Sequence, residues 1–202
     1  MWKFPYYEVD QDIPWDKLEK EFDWFRDMKG VPQDPEWHAE GDVFVHTKMV
    51  TEALVSHPDF QLLSEQDKHI LFSVAMFHDI EKRSTTAEEE LDEEVDGKLV
   101  KVKRITARSH AKKGEKTARK ILYTEMEAPF KIREHICMLV RHHGSPLWVR
   151  DKEDQSKAVI ELSLKLKQKW LLYLLKQIFL EGLLKTMKIC LKELSGLNCF
   201  VI

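Results

Sequence analysis

Four stretches of this 202-residue chain place a histidine among apolar residues at helical spacing: His46, His78, His110 and the pair His142–His143. His78 is followed directly by Asp79. A neutral imidazole is a ligand for borderline divalent metals, and a carboxylate among such rings can bridge two cations and offset their charge. Ions held in that way can lower the pKa of a bridging water and clamp a phosphoryl group, which is what phosphoester hydrolysis requires. One histidine on an apolar face is most often a core residue with a satisfied ring. Four on separate faces, one of them leading an aspartate, point to a metal site. The members also recur evenly, at 46, 78, 110 and 142, each step being about a helix, its loop and the approach to the next helix.

The elements that must carry these side chains are helices, because apolar residues recur at helical intervals and strand-like alternation is nearly absent. Helices are expected near 16–28, 43–57, 65–80, 109–125, 129–143 and 155–194. Their inward stripes read Val43, His46, Val50, Ala53 and Leu54; then Ile70, Leu71, Val74 and His78; then His110, Ala118 and Ile121; then Ile132, Ile136, Leu139, Val140 and His143. Residues 31–42 read as a turn-rich connector. The acidic run from Glu88 to Glu94, followed by Asp96-Gly97 and a basic stretch from Lys98, reads as a short hairpin or loop near 88–106. That run is a solvated surface rather than a metal site, since it lacks turn glycines and alternating ligands.

Composition bounds the rest. Hydrophobic residues make up 43% and charged residues 33% of the chain, the balance of an ordinary globular domain. A net charge of −3 argues against a dominant nucleic-acid footprint, while leaving room for a local basic pocket. Three cysteines, Cys137, Cys190 and Cys199, do not make a disulfide framework, and Cys137 reads as a buried free thiol. No signal peptide is visible. Lys176, Glu181, Lys185, Lys188 and Lys192 interrupt the Leu-rich C-terminal stretch too often for a membrane span. A cytoplasmic protein without disulfides or membrane contact is expected; the oligomeric state is not legible.

At His46, His78-Asp79, His110 and His142-His143 the chain resembles the HD-domain superfamily of metal-dependent phosphohydrolases. The flanks carry the likeness further. Residues Ala39-Glu-Gly-Asp-Val-Phe-Val-His-Thr47 are similar to the segment before the first histidine in the HD domains of bacterial CCA-adding tRNA nucleotidyltransferases. Phe77-His-Asp-Ile-Glu-Lys82 with Ser84-Thr-Thr86 looks like the family's His-Asp-x-Gly-Lys segment, with Glu81 in place of glycine. Ser109-His-Ala-Lys-Lys-Gly114 and Leu139-Val-Arg-His-His-Gly144 look like stand-alone HD proteins. The resemblance implies an all-α HD bundle over residues 30–175, a helical extension over 1–29 and a helical tail over 176–202. It also implies ligand roles for His46, His78, Asp79, His110, His142 and His143, with Asp79 bridging one or two ions of Mn, Fe, Ni, Co, Mg or Zn. Lys82 matches a position facing the phosphate; Arg83 and Arg141 are further candidates for substrate contact.

One expected ligand is missing. The family places a final aspartate on its last core helix. Here Trp170-Leu-Leu-Tyr-Leu-Leu175 reads as the lead-in, yet no aspartate follows Asp154. A shift of reading frame over residues 176–202 would restore an Ala-Asp pair, and the codons of the gene test it. The reading is therefore hydrolysis of a phosphomonoester or phosphodiester of a nucleotide or RNA end, impaired by the lost carboxylate. A 2′,3′-cyclic or terminal phosphate is favoured by the resemblance. The alternatives are a 5′-nucleotidase or nucleoside-triphosphate hydrolase, a non-catalytic metal- or nucleotide-binding module, and an interaction protein using the Leu-rich tail.

Overall fold

A computed structural model of the chain describes residues 1–95, 97–145, 149 and 152–166; the expected 176–202 tail, Cys190 and Cys199 lie outside them. The chain divides into two units, Met1–Arg141 and His142–Ile202. In chain order the elements are α1 (Trp15–Glu21), α2 (Asp23–Arg26), α3 (Val43–Ser56), α4 (Pro58–Gln61), α5 (Glu65–Phe77), α6 (Lys82–Thr85), β1 (Thr86–Val95), β2 (Lys98–Ala107), α7 (His110–Thr124), α8 (Phe130–His142) and α9 (Gln155–Lys165). The chain is mostly helical. Its two ten-residue strands form one antiparallel sheet, the hairpin expected near 88–106, so the fold is helical with a hairpin rather than plainly all-α.

The first unit is organised around α5. Every residue from Lys68 to Phe77 is buried, as expected of a helix that is apolar nearly all round. Two of its polar groups are satisfied by near neighbours: the Ser73 hydroxyl donates to the His69 carbonyl at 2.7 Å, and Lys68 reaches Gln61 at 3.1 Å. Ser64 caps its start, accepting from the Asp67 amide. Helix α3 packs on α5, burying Val43, Phe44, His46, Thr47, Val50, Thr51 and Leu54. Ala53, expected inside, sits at the margin, and Thr47 and Thr51 take the inner face instead. The Thr51 hydroxyl donates to the Thr47 carbonyl at 2.7 Å, which makes its burial tolerable.

The first 28 residues share this core. Phe4 meets Phe72 edge-on with centroids 5.0 Å apart, and Tyr7 stacks on Phe72 at 3.7 Å. The Trp2 indole donates to the Met126 carbonyl at 3.0 Å. The single helix expected over 16–28 is broken at Phe22, whose backbone is extended (φ −114°, ψ 100°). The break directs the Phe22 ring against Phe4 and Trp24, a gain in aromatic burial that outweighs one continuous helix turn.

Strands β1 and β2 run from Thr86↔Ala107 to Val95↔Lys98. Gly97 in the turn has φ +76°, a conformation glycine adopts without Cβ strain. The acidic run is β1 itself, and its charge is matched across the ladder: Glu88 pairs with Lys103, Glu89 with Arg108, and Glu93 with Arg104. Cross-strand charge pairing lets an acidic stretch form a strand. Asp34 ties the base of the hairpin to the 31–42 connector, accepting from the Ile105 amide at 3.1 Å.

In the second unit α9 is capped by Asp154, which accepts from the Lys157 amide at 2.8 Å. The helix ends at Lys165, with Leu166 extended; the rest of the helix expected over 155–194 lies outside the described residues. From Ile160 the apolar residues alternate (Ile160, Leu162, Leu164, Leu166), so no one helical face can collect them.

Candidate metal centre

The central helix stops at the His-Asp pair. His78 is the C-cap of α5 and its amide still bonds the Val74 carbonyl, so His78 and Asp79 sit at the negative end of the helix dipole, where a cation is favoured. His78 is 1% and Asp79 2% exposed. Helix α3 brings His46 to the same place, with Nε2 3.6 Å from Asp79 Oδ2. Helix α7 brings His110, with Nε2 3.4 Å from Asp79 Oδ1. His78 Nε2 lies 3.2 Å from Asp79 Oδ2. Ser109, in left-handed backbone (φ 63°), turns the chain out of β2 so that His110 opens α7. Gly114 one turn on is buried against the site, where a Cβ would make ordinary contacts with the Ile80 and Val140 side chains at 3.5 Å and the His78 carbonyl at 3.9 Å.

The tautomers are set by what the other ring nitrogens touch. His78 Nδ1 donates to the Ala75 carbonyl at 2.7 Å, His110 Nδ1 to the Ala107 carbonyl at 2.7 Å, and His46 Nδ1 to Glu40 Oε1 at 2.6 Å. With the proton committed at Nδ1, each Nε2 presents a lone pair toward one buried carboxylate. Acceptors converging on an acceptor are unfavourable by themselves and favourable around a cation. Ligand atoms of His46, His78 and Asp79 lie within 4.8 Å of one another, so these residues fit a divalent ion, and the N/O donor set suits borderline metals.

Charge reinforces the arrangement. Burial alone would raise the Asp79 carboxyl, but the positive charges around it, led by the Lys82 ammonium, hold it well below the usual carboxylate range. Lys82 Nζ is 2.8 Å from Asp79 Oδ2 and donates to Gln33 Oε1 at 2.6 Å. Burial pushes the His46 imidazole down to about 4, against the pull of the Asp79 charge. His69, away from the site, is also lowered by burial and then by Lys3; its Nδ1 accepts from the Phe4 amide at 3.2 Å.

These shifts share one sign. The unfolded chain binds protons at pH values where the native rings do not, so stability is full above 6.5 and falls as the pH drops toward the native values. His46 alone, moving from 6.5 to about 4, should cost the metal-free protein about 2 kcal/mol between pH 7 and 5. Urea unfolding in chelator at the two pH values measures it. Equal stability at both would show that the buried rings are not held neutral.

The remaining expected residues are placed as follows. Arg83 Nη1 lies 2.5 Å from Asp27 and Arg141 Nε 3.8 Å from Glu115, each engaged with a carboxylate in the first unit. His142 and His143 open the second unit, where His142 Nδ1 lies 3.0 Å from Ser145 Oγ. Glu81 is 8% exposed and accepts from the Thr117 hydroxyl at 2.7 Å, which ties α7 to the His-Asp turn. Cys137 is buried, and burial pushes its thiol up to about 12, as a core thiol should behave. Sequence reasoning did not single out His38, Glu40 and Gln33. All three lie in the connector, where no helical period marks an inward side. No protein-family model, curated protein or solved structure matches the chain.

Proposed function

We propose that this chain is an HD-type metal-dependent phosphohydrolase acting on a phosphomonoester or phosphodiester of a nucleotide or RNA end. The observation that carries the reading is the convergence of three imidazole Nε2 atoms, from α3, the end of α5 and α7, on the single buried carboxylate of Asp79. A divalent ion in such a setting supplies Lewis acidity toward a phosphoryl oxygen and makes water more acidic. His46 and His78 would hold it through Nε2, and Asp79 would balance its charge. Lys82, 12% exposed beside Asp79, offers an ammonium to a phosphate oxygen while Gln33 keeps it in place. The absence of any aspartate after Asp154 leaves the last family ligand unsupplied and favours slow turnover. It is also the observation behind the second reading, a module that binds metal or nucleotide without turnover.

The test is a metal screen (Mn, Fe, Ni, Co, Mg, Zn) with bis(p-nitrophenyl) phosphate, p-nitrophenyl phosphate, a 2′,3′-cyclic nucleotide, a 5′-nucleotide and a nucleoside triphosphate. Metal-dependent hydrolysis that chelator removes is expected, with the cyclic nucleotide preferred. Metal binding without hydrolysis of any substrate would favour the binding module; hydrolysis that survives chelation would sink the metal mechanism.

A further inference from the structure

Beside His46, on the side away from Asp79, stand two residues that the ligand set does not include. Glu40 Oε1 accepts from His46 Nδ1 at 2.6 Å and from His38 Nδ1 at 3.0 Å. The Glu40 side chain is 18% exposed, His46 7% and His38 24%. The His38 and His46 rings meet edge to face, 4.7 Å between centroids. These three residues form a donor cluster of the kind that could hold an ion of its own. The 2.6 Å spacing decides otherwise: two ligands on one ion at about 2.0–2.2 Å bonds stand about 3 Å or more apart in a tetrahedral shell, whereas a charge-assisted N–H···O bond belongs at about 2.7 Å.

The connector that carries this carboxylate is held at several points. Asp42 caps α3, accepting from the Val45 amide at 2.9 Å, and accepts from the Gly30 amide at 2.7 Å. The Asp34 carbonyl accepts from the His38 amide at 2.9 Å while its carboxylate accepts from the Ile105 amide. Glu40 therefore has a fixed origin from which to act on the ring.

From this geometry we infer that Glu40 is the positioning residue for His46: it keeps the proton on Nδ1 and aims Nε2 at Asp79, and His38 steadies Glu40 through the same oxygen. A carboxylate behind a ligand histidine fixes tautomer and ring orientation and raises the basicity of the ligating nitrogen, at a typical loss of about 10–100-fold in metal affinity when it is removed. The inference rests on the reading of His46 as a metal ligand, and its test has one arm that does not.

The first arm is the long-range 1H–15N histidine spectrum of the metal-free full chain at neutral pH, with His46 assigned by its loss in His46→Gln. His46 should show the Nδ1–H form in the wild type and lose that preference in Glu40→Ala. The second arm is Mn2+ affinity by calorimetry. Glu40→Ala should bind about 10–100-fold more weakly, and Glu40→Gln should recover much of the loss because its carbonyl still accepts from Nδ1. Glu40→Asp keeps the charge but withdraws the oxygen by about one C–C bond, about 1.5 Å, and should behave like alanine. A charge effect or a purely structural role would leave aspartate as good as wild type. His38→Ala should lose only a few-fold. An unchanged His46 tautomer in Glu40→Ala and Glu40→Asp, or unchanged Mn2+ affinity in both, would overturn the assignment of Glu40. If the wild type binds no divalent ion, the metal reading fails, and the tautomer spectrum still decides whether Glu40 positions His46.

Discussion

Asp79→Ala is expected to bind divalent metal at least about 100-fold more weakly than the wild type, because it removes a ligand rather than one of the groups behind a ligand, whose loss already costs about 10–100-fold. Three imidazoles face this carboxylate, at 3.2, 3.4 and 3.6 Å. Without it a cation would meet only neutral nitrogens and the positive Lys82, with no negative charge from the first unit's ligand set to offset desolvation. Asp79→Asn should fail almost as badly. Its amide has nearly the same volume and one oxygen, but no charge, so the pair of variants separates shape from electrostatics. Elemental analysis of the purified chains and Mn2+ titration provide the comparison. Near-stoichiometric metal in the wild type that vanishes in both variants is the expected result, together with loss of any hydrolysis. Equal metal content in Asp79→Ala would move the ion away from this carboxylate, and the assignment of the centre would fall with it.

The second large effect concerns stability. Phe72 is fully buried on α5, with Phe4 edge-on at 5.0 Å and Tyr7 stacked at 3.7 Å. Truncation to alanine removes the transfer energy of the ring and leaves a cavity whose walls come from the N-terminal segment and from α5, which the Trp2–Gln66 and Phe4–His69 hydrogen bonds hold in place on each other. Such sites collapse poorly, and a loss of about 3–5 kcal/mol is expected. Equilibrium urea unfolding measures it. Phe72→Leu, which fills more of the space, should lose clearly less. A loss below about 1 kcal/mol in Phe72→Ala would mean that the first residues do not form part of the cooperative core.

The two variants fail for different reasons, and that difference follows the division between what could be read from the residues in order and what could not. Helical class, the hairpin near 88–106 and the inward direction of His46 and His78 were legible, because period and turn chemistry are local. The run Ile70–Leu71–Phe72 with Val74–Ala75–Met76–Phe77 announces a buried helix before any partner is known. The break at Phe22 was not legible, since it depends on the ring of Phe4, which only the folded chain brings near. The same holds for the end of α9 at Lys165, where helical propensity and apolar alternation point in opposite directions.

For the site, residue order determined which side chains are able to do metal chemistry and which faces of α3, α5 and α7 they occupy. It also determined that no aspartate follows Asp154. Only the tertiary structure decided that His46, His78 and His110 turn Nε2 rather than Nδ1 toward Asp79. That choice is made by acceptors three to six residues away whose direction no hydrophobic period shows: Glu40 in a connector without period, and the carbonyls of Ala75 and Ala107 at the ends of a helix and a strand. Hydrogen-bond direction is a property of assembled backbone, and periodicity carries no information about it. The physical reason is that a helical pattern specifies a face, whereas a ligand atom is specified by what stands behind the ring.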